Sequence, residues 1–136
     1  MASPHFVYSV SNRSVSDVET GLPASMIYGA DLRFHGVVRD QEDGRRILGI
    51  EYSHYEGMAI NELRRIGEVM AIAHPDHFAL VHHVIGFVPT GEASILIRVQ
   101  TPHSAEAFEI CREYLRRIKT TVPIWKKPVF EGDSLP

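Results

Sequence analysis

The sequence predicts an α+β domain of mostly antiparallel strands and two long helices. Residues 26–39 and 47–55 alternate apolar with polar side chains, the period of a half-buried strand, and residues 93–101 place Ile95, Ile97 and Val99 on one face of another. Residues 58–73 and the stretch leading to Lys119 instead space their apolar residues three and four apart, the period of an amphipathic helix. Breakers between these segments give the order strand, short helix, two strands, long helix, two strands, long helix, final strand. With 136 residues and 44% hydrophobic content the chain suffices for one domain, expected over residues 1–130, and residues 131–136 are expected to form a frayed tail.

Each element has its own signal. Phe6, Tyr8 and Val10 share one face of a short first strand. Ser14 or Ser16 can cap one or two helical turns that Gly21 and Pro23 terminate. Leu32, Phe34, Gly36 and Val38 then face one way from the next strand. The charged turn 40–46 joins it to a strand carrying Leu48, Ile50, Tyr52 and His54, so the two are expected to pair as a long hairpin. Met58, Leu63, Ile66, Val69, Met70 and Ala73 form the inner stripe of the first long helix, which Pro75 ends. The β-branched run 78–86, the turn 88–91 and the strand 93–101 predict a second hairpin. Thr101-Pro102 opens the second long helix, with Ala107, Phe108, Cys111, Leu115 and Ile118 facing inward. Ile124-Trp125 resumes an extended run after Val122-Pro123 breaks the helix.

Charge narrows the function classes. The formal net charge is −3, yet six of the fourteen basic residues fall between Arg112 and Lys127, with Glu113 the one acid among them. A compact basic patch on an acidic chain suits a focused anion or an acidic protein surface better than nucleic acid. Cys111, alone, excludes an internal disulfide and a cysteine-rich zinc site and fits a reducing compartment, so the cytoplasm is expected. The sequence has neither a secretory leader pattern nor the roughly 18 consecutive apolar residues of a bilayer span, so no membrane association is expected.

The candidate chemistry lies in the basic patch. Lys119 sits in a last helical turn, where the dipole favours a cation, so it is either a charge-complementing cap or a group that binds or protonates an anion. Lys126 and Lys127 are neighbours on an extended segment, so only one can share a site with Lys119; surface exposure is the ordinary explanation of such a pair. Trp125 is expected to anchor a core or an interface. His103, at a helix start, is either an idle surface histidine or a donor to phosphate. Arg39, at a strand end, grips a phosphate or carboxylate, or else pairs with the acids of the next loop. Eight histidines raise the question of a metal, but Pro75 separates His74 from His77 on any helical face and His82-His83 alternate across a strand, so no metal site is expected. Cys111 on the inner helix face is expected to be inert.

Taken together, Lys119-Thr-Thr-Val-Pro-Ile-Trp-Lys126-Lys127 closely resembles the signature of the molybdopterin synthase large (catalytic) subunit family. Phe34-His-Gly36-Val-Val-Arg39, the Tyr55-Glu-Gly57-Met58 approach to the first long helix, His83-Val-Ile-Gly86 and Pro102-His103-Ser104 agree with the same family in the same order. The resemblance runs from about Gly29 to Lys127 and implies an α/β-hammerhead-like fold. It implies sulfur transfer from the C-terminal Gly-Gly thiocarboxylate of a small ubiquitin-like sulfur-carrier subunit to cyclic pyranopterin monophosphate, giving the dithiolene of molybdopterin. It also implies a homodimer within a heterotetramer, and no cofactor. Carried over by position, Lys119 and Lys126 are catalytic, while Arg39, His103, Phe34 and Ser104 contribute to substrate binding. Ser104 and Val84 stand where the family has arginines, with Arg98 or a dimer mate as possible substitutes for the missing cation. Two alternatives are a non-catalytic relative that keeps only the partner groove, and a nucleic-acid module using the basic helix.

Overall fold

The computed structural model describes residues 5–55 and 57–133. Its first sheet has the order β1 (Phe6–Ser11), β5 (Phe78–Val84), β7 (Ala93–Thr101) and β2 (Ala30–Val37). Strand β1 runs parallel to β5, and the other pairs are antiparallel. Helices α2 (Met58–Ala73) and α3 (Ser104–Thr121) cover one face. There Ala79 and Val81 of β5 and Ile95, Ile97 and Val99 of β7 meet Leu63, Ile66, Met70, Ile110, Cys111 and Tyr114. The other face carries Leu80, Val84 and Leu96 into a second core with Val15 of α1 (Val15–Thr20), Ile47, Ile50, Tyr52 and Val88. Both faces of β5 and β7 are covered, which is why these strands read as nearly unbroken apolar runs.

A second sheet is built on β4 (Arg45–His54), which pairs with β3 (Gln41–Glu42), β6 (Gly86–Pro89) and β8 (Ile124–Phe130). The expected long hairpin between residues 26–39 and 47–55 does not form, because β2 pairs with β7 and β4 with β6 and β8. Leu32 and Phe34 pack on the helix-side core whereas Ile47, Ile50 and Tyr52 belong to the other, so the two strands serve different layers. The charged turn instead closes a short hairpin of its own. Asp43 and Gly44 both have positive φ (53° and 75°), the geometry of a type I′ turn, and Glu42 faces Arg45. In the second expected hairpin β5 does pair with β7, but residues 86–89 leave it at Gly86 (φ 104°) to join β4 as β6.

Three inner faces differ from those the periodicity predicts. Phe108 is 62% exposed, and Ile110 and Tyr114 are buried instead, because the buried residues of α3 follow 107, 110, 111, 114 and 118 and Phe108 falls about 100° off the first of these. Leu48 is turned outward by a bulge that shifts the β4–β8 register between Ile47 and Gly49. In α2, Leu63, Ile66 and Met70 are buried, while Met58, Val69 and Ala73 are exposed and Ala59 and Gly67 complete the inner face. Helix α3 starts at Ser104 with His103 as N-cap, not at Pro102; Thr101 Oγ1 donates to the His103 carbonyl at 2.6 Å. At the other end, Glu131 N–H donates to Arg46 O and Asp133 N–H to Phe130 O; residues 134–136 of the expected tail lie outside the described residues.

Candidate functional site

The C-terminal end of α3 and strand β8 meet the ends of β2, β4 and β5 around a cavity of about 520 Å³. Its lining includes Phe34, Arg39, Lys119 and Lys126, together with Tyr52 and His83. Local chemistry sets each position. Val122 N–H closes α3 on the Ile118 carbonyl at 3.1 Å, which leaves Lys119 in the last turn, and Thr120 and Thr121 hydroxyls donate to the Arg116 and Arg117 carbonyls. Val122 is extended, as a residue before proline must be, and so turns the chain into β8.

The β4–β8 register then selects between the neighbouring lysines. Lys126 lies opposite Tyr52 and Lys127 opposite Glu51, and successive residues of a strand face opposite ways. Lys126 therefore shares the cavity side with Tyr52, and Lys127 does not line it. Trp125 is 48% exposed, which removes the core half of its expected core-or-interface role, and its ring meets Tyr55 edge-on at 5.0 Å between centroids. Glycine at position 36 keeps the cavity floor open, since a Cβ there would lie 2.6 Å from Ile95 Cγ2.

The site is electropositive. Arg39, Lys119 and Lys126 make no ion pair with a described residue, so the expected alternative pairing of Arg39 with the acids of its loop is absent; Asp40 instead pairs with Arg46 at 3.6 Å. Among the described residues Glu42 supplies the carboxylate on the lining. Burial raises the Tyr52 phenol above its usual range; a Ser94 hydrogen bond opposes this and Glu42 adds to it.

His103 and Ser104 are not among the lining residues. Both are exposed at the start of α3, and fifteen residues of helix carry the chain about 22 Å from Ser104 to Lys119. Arg98 is no substitute cation, because its guanidinium is 2% exposed and donates to Asp31 at 2.8 and 3.0 Å and to the Pro23 carbonyl at 2.8 Å. Cys111 is buried and its thiol is pushed upward by burial. Among the described residues no group of three or more His, Cys, Asp or Glu is placed to hold a metal ion, and no helix is long and apolar enough to cross a membrane.

Tyr52 and His83 line the cavity although sequence reading, which named Tyr52 on its strand face and His83 within the family resemblance, gave neither a role in the site. Their signal was the strand alternation: His83 faces away from His82, and Tyr52 lies across the register from Lys126.

The profile of the family described as "MoaE protein" matches residues 10–121. The chain belongs to the MoaE family. Among similar proteins, a molybdopterin synthase catalytic subunit from Drosophila willistoni is 41% identical over 107 residues, covering 78% of this chain and 29% of that protein. One from Oryza sativa subsp. indica is 39% identical over 107 residues, covering 79% of this chain and 55% of its own length. The chain thus matches under a third of the fly relative and about half of the rice one. The crystal structure of molybdopterin synthase from Staphylococcus aureus superposes with a TM-score of 0.80 at 28% identity, covering 98% of this chain and 97% of that one. The MoaE fold also recurs in a complex of subunits 1 and 2 of molybdopterin-converting factor from Helicobacter pylori, with a TM-score of 0.69 at 19% identity over 96% of this chain and 92% of that one.

Proposed function

We propose that the cavity transfers sulfur from the C-terminal thiocarboxylate of a small sulfur-carrier subunit to cyclic pyranopterin monophosphate, two transfers giving the dithiolene of molybdopterin. The observation that carries this reading is the convergence on one cavity of Arg39, Lys119 and Lys126, each without a carboxylate partner among the described residues. Donor and acceptor are both anionic, and holding them together needs cations. A volume of about 520 Å³ falls within the range of small-molecule sites. Relatives named as catalytic subunits support the same reading.

In this reading Lys119 is the principal catalytic lysine, Lys126 stabilises developing charge or donates a proton, Arg39 grips the phosphate and Phe34 shapes the wall. The sulfur arrives on the partner, so the buried Cys111 is not needed as a nucleophile. His103 and Ser104, about 22 Å along α3, act on the substrate of a second copy, in a homodimer within a cytoplasmic heterotetramer. Ser104 offers a hydroxyl and the first-turn amides in place of an arginine.

Titration with the precursor and, separately, with the small subunit tests the proposal against a non-catalytic scaffold. The catalytic reading expects both to bind and Arg39→Ala to weaken the precursor about tenfold or more. Small-subunit binding without any affinity for the precursor would leave the scaffold reading standing.

A further inference from the structure

His83 lines the cavity from β5. Its Nδ1 lies 2.8 Å from the Val84 carbonyl, an acceptor only, so Nδ1 carries the proton and Nε2 holds a bare lone pair. No described group bonds that Nε2. Tyr52 packs against the imidazole edge-on, with ring centroids 5.0 Å apart, and lies directly across the β4–β8 register from Lys126. The ring is thus fixed in tautomer by one neighbour and in plane by another, beside a catalytic lysine. Arg39, Lys119 and Lys126, as cations, can only donate hydrogen bonds.

We propose that His83 is the general base that releases sulfur from the carrier, its Nε2 accepting the proton of the water that cleaves the partner–pterin thioester. The inference rests on the sulfur-transfer reading. Once the thiocarboxylate sulfur has bonded to the pterin, the carrier's last glycine is held by an acyl carbon–sulfur bond. Water adds its hydroxyl to that carbon and its second proton passes to Nε2. The carbon–sulfur bond breaks with both electrons on sulfur, leaving a pterin thiolate and a glycine carboxylic acid that ionises at neutral pH. No oxidant or reductant is consumed.

The environment matches this task. Burial holds the imidazole pKa down at about 4; the Val84 carbonyl opposes the shift, and His82, Lys126 and His54 reinforce it. The uncharged ring is therefore the resting form at neutral pH. Tyr52 faces it from β4, and Arg39, Glu42 and Lys119 share its cavity.

The test is a single-turnover reaction with thiocarboxylated small subunit and precursor, followed by intact mass. His83→Gln is expected to form the partner–pterin adduct at the wild-type rate and to hydrolyse it about 100-fold more slowly or worse. It should also lose the acid limb of the hydrolysis pH profile, and added imidazole should rescue His83→Ala. Hydrolysis by His83→Gln within threefold of wild type overturns the proposal, as does a block that appears in Glu42→Gln instead. If the wild-type chain forms neither adduct nor product, the sulfur-transfer reading itself has failed. Nitrogen-15 NMR of the wild-type histidines checks the ring independently of activity: protonated Nδ1 is expected, and a protonated Nε2 at neutral pH contradicts the assignment.

Discussion

Lys126 and Lys127 differ in one respect that matters, the face of β8 from which each projects. Lys126→Ala is expected to weaken precursor binding about tenfold or more, because a charge-assisted contact is lost. Lys127→Ala should change it less than twofold, and calorimetric titration of both variants measures the difference. Arg98 illustrates the opposite use of a cation. Its paired bonds hold the Asp31 carboxyl below its ordinary range, with Arg33 contributing and burial opposing. Arg98→Ala removes a buried partner and should cost about 3 kcal/mol in urea denaturation, far more than an exposed arginine would. From sequence, Arg98 was indistinguishable from a free anion-binding group, because its burial depends on Asp31 and Pro23, which lie far away along the chain.

At the scale of elements, the packing of α2 on β1 turns on Gly67. A Cβ at that position would overlap the ring of Phe6, which is 1% exposed and stacks with Tyr8 and Tyr114 at centroid distances of 5.3 and 5.5 Å. Gly67→Ala gains about 1 kcal/mol of helix propensity, but overpacking a fixed aromatic costs about 1–3 kcal/mol. The net expectation is a loss of stability, read as a lower urea midpoint; a raised midpoint would show that the ring can move aside. The periods in the sequence located the helices and most strands, since they report the burial of a face. They paired β2 with β4 in a hairpin that does not form, because alternation fixes which side of a strand is buried and not what lies beside it. Strand β6 is four residues long and the Leu48 bulge inverts one step of the pattern, so neither carried a periodic signal. Within the site, the lysine spacing and the Phe34-to-Arg39 strand were legible as a family signature. His83 was legible as part of the same signature but acquired a place in the site only when Tyr52 was brought against it.

For the molecule as a whole, acid should be destabilising in two stages. The His83 pKa of about 4 lies below the ordinary value of 6.5, so the unfolded chain binds more protons between these limits. The stability it contributes is complete above pH 6.5 and is lost as pH falls toward 4, by about 3 kcal/mol for a shift of this size. His77, also lowered by burial, acts in the same direction. Asp31 and Glu113, held down by Arg98 and His74 respectively, extend the loss below their ordinary values of 3.8 and 4.5. Urea midpoints from pH 7 to 4 should fall accordingly, and less steeply in His83→Gln.

Assembly has its own test. If His103 serves a second copy's cavity, mixing Lys119→Ala with His103→Ala chains should restore about a quarter of wild-type activity through dimers with one intact site. No recovery, with each variant folded and dimeric, would place His103 outside the site.

The central claim is that the cavity of Arg39, Lys119 and Lys126 performs sulfur transfer, and the loss of sulfur from the carrier reports on it most directly. Thiocarboxylated small subunit, precursor and this chain are mixed, and the mass of the carrier's C-terminus is followed through one turnover. The account predicts two carriers converted from thiocarboxylate to carboxylate per pterin consumed, with the rate reduced about 100-fold or more by Lys119→Ala. Carriers that keep their sulfur with the wild-type chain, or lose it equally fast with Lys119→Ala, would contradict it.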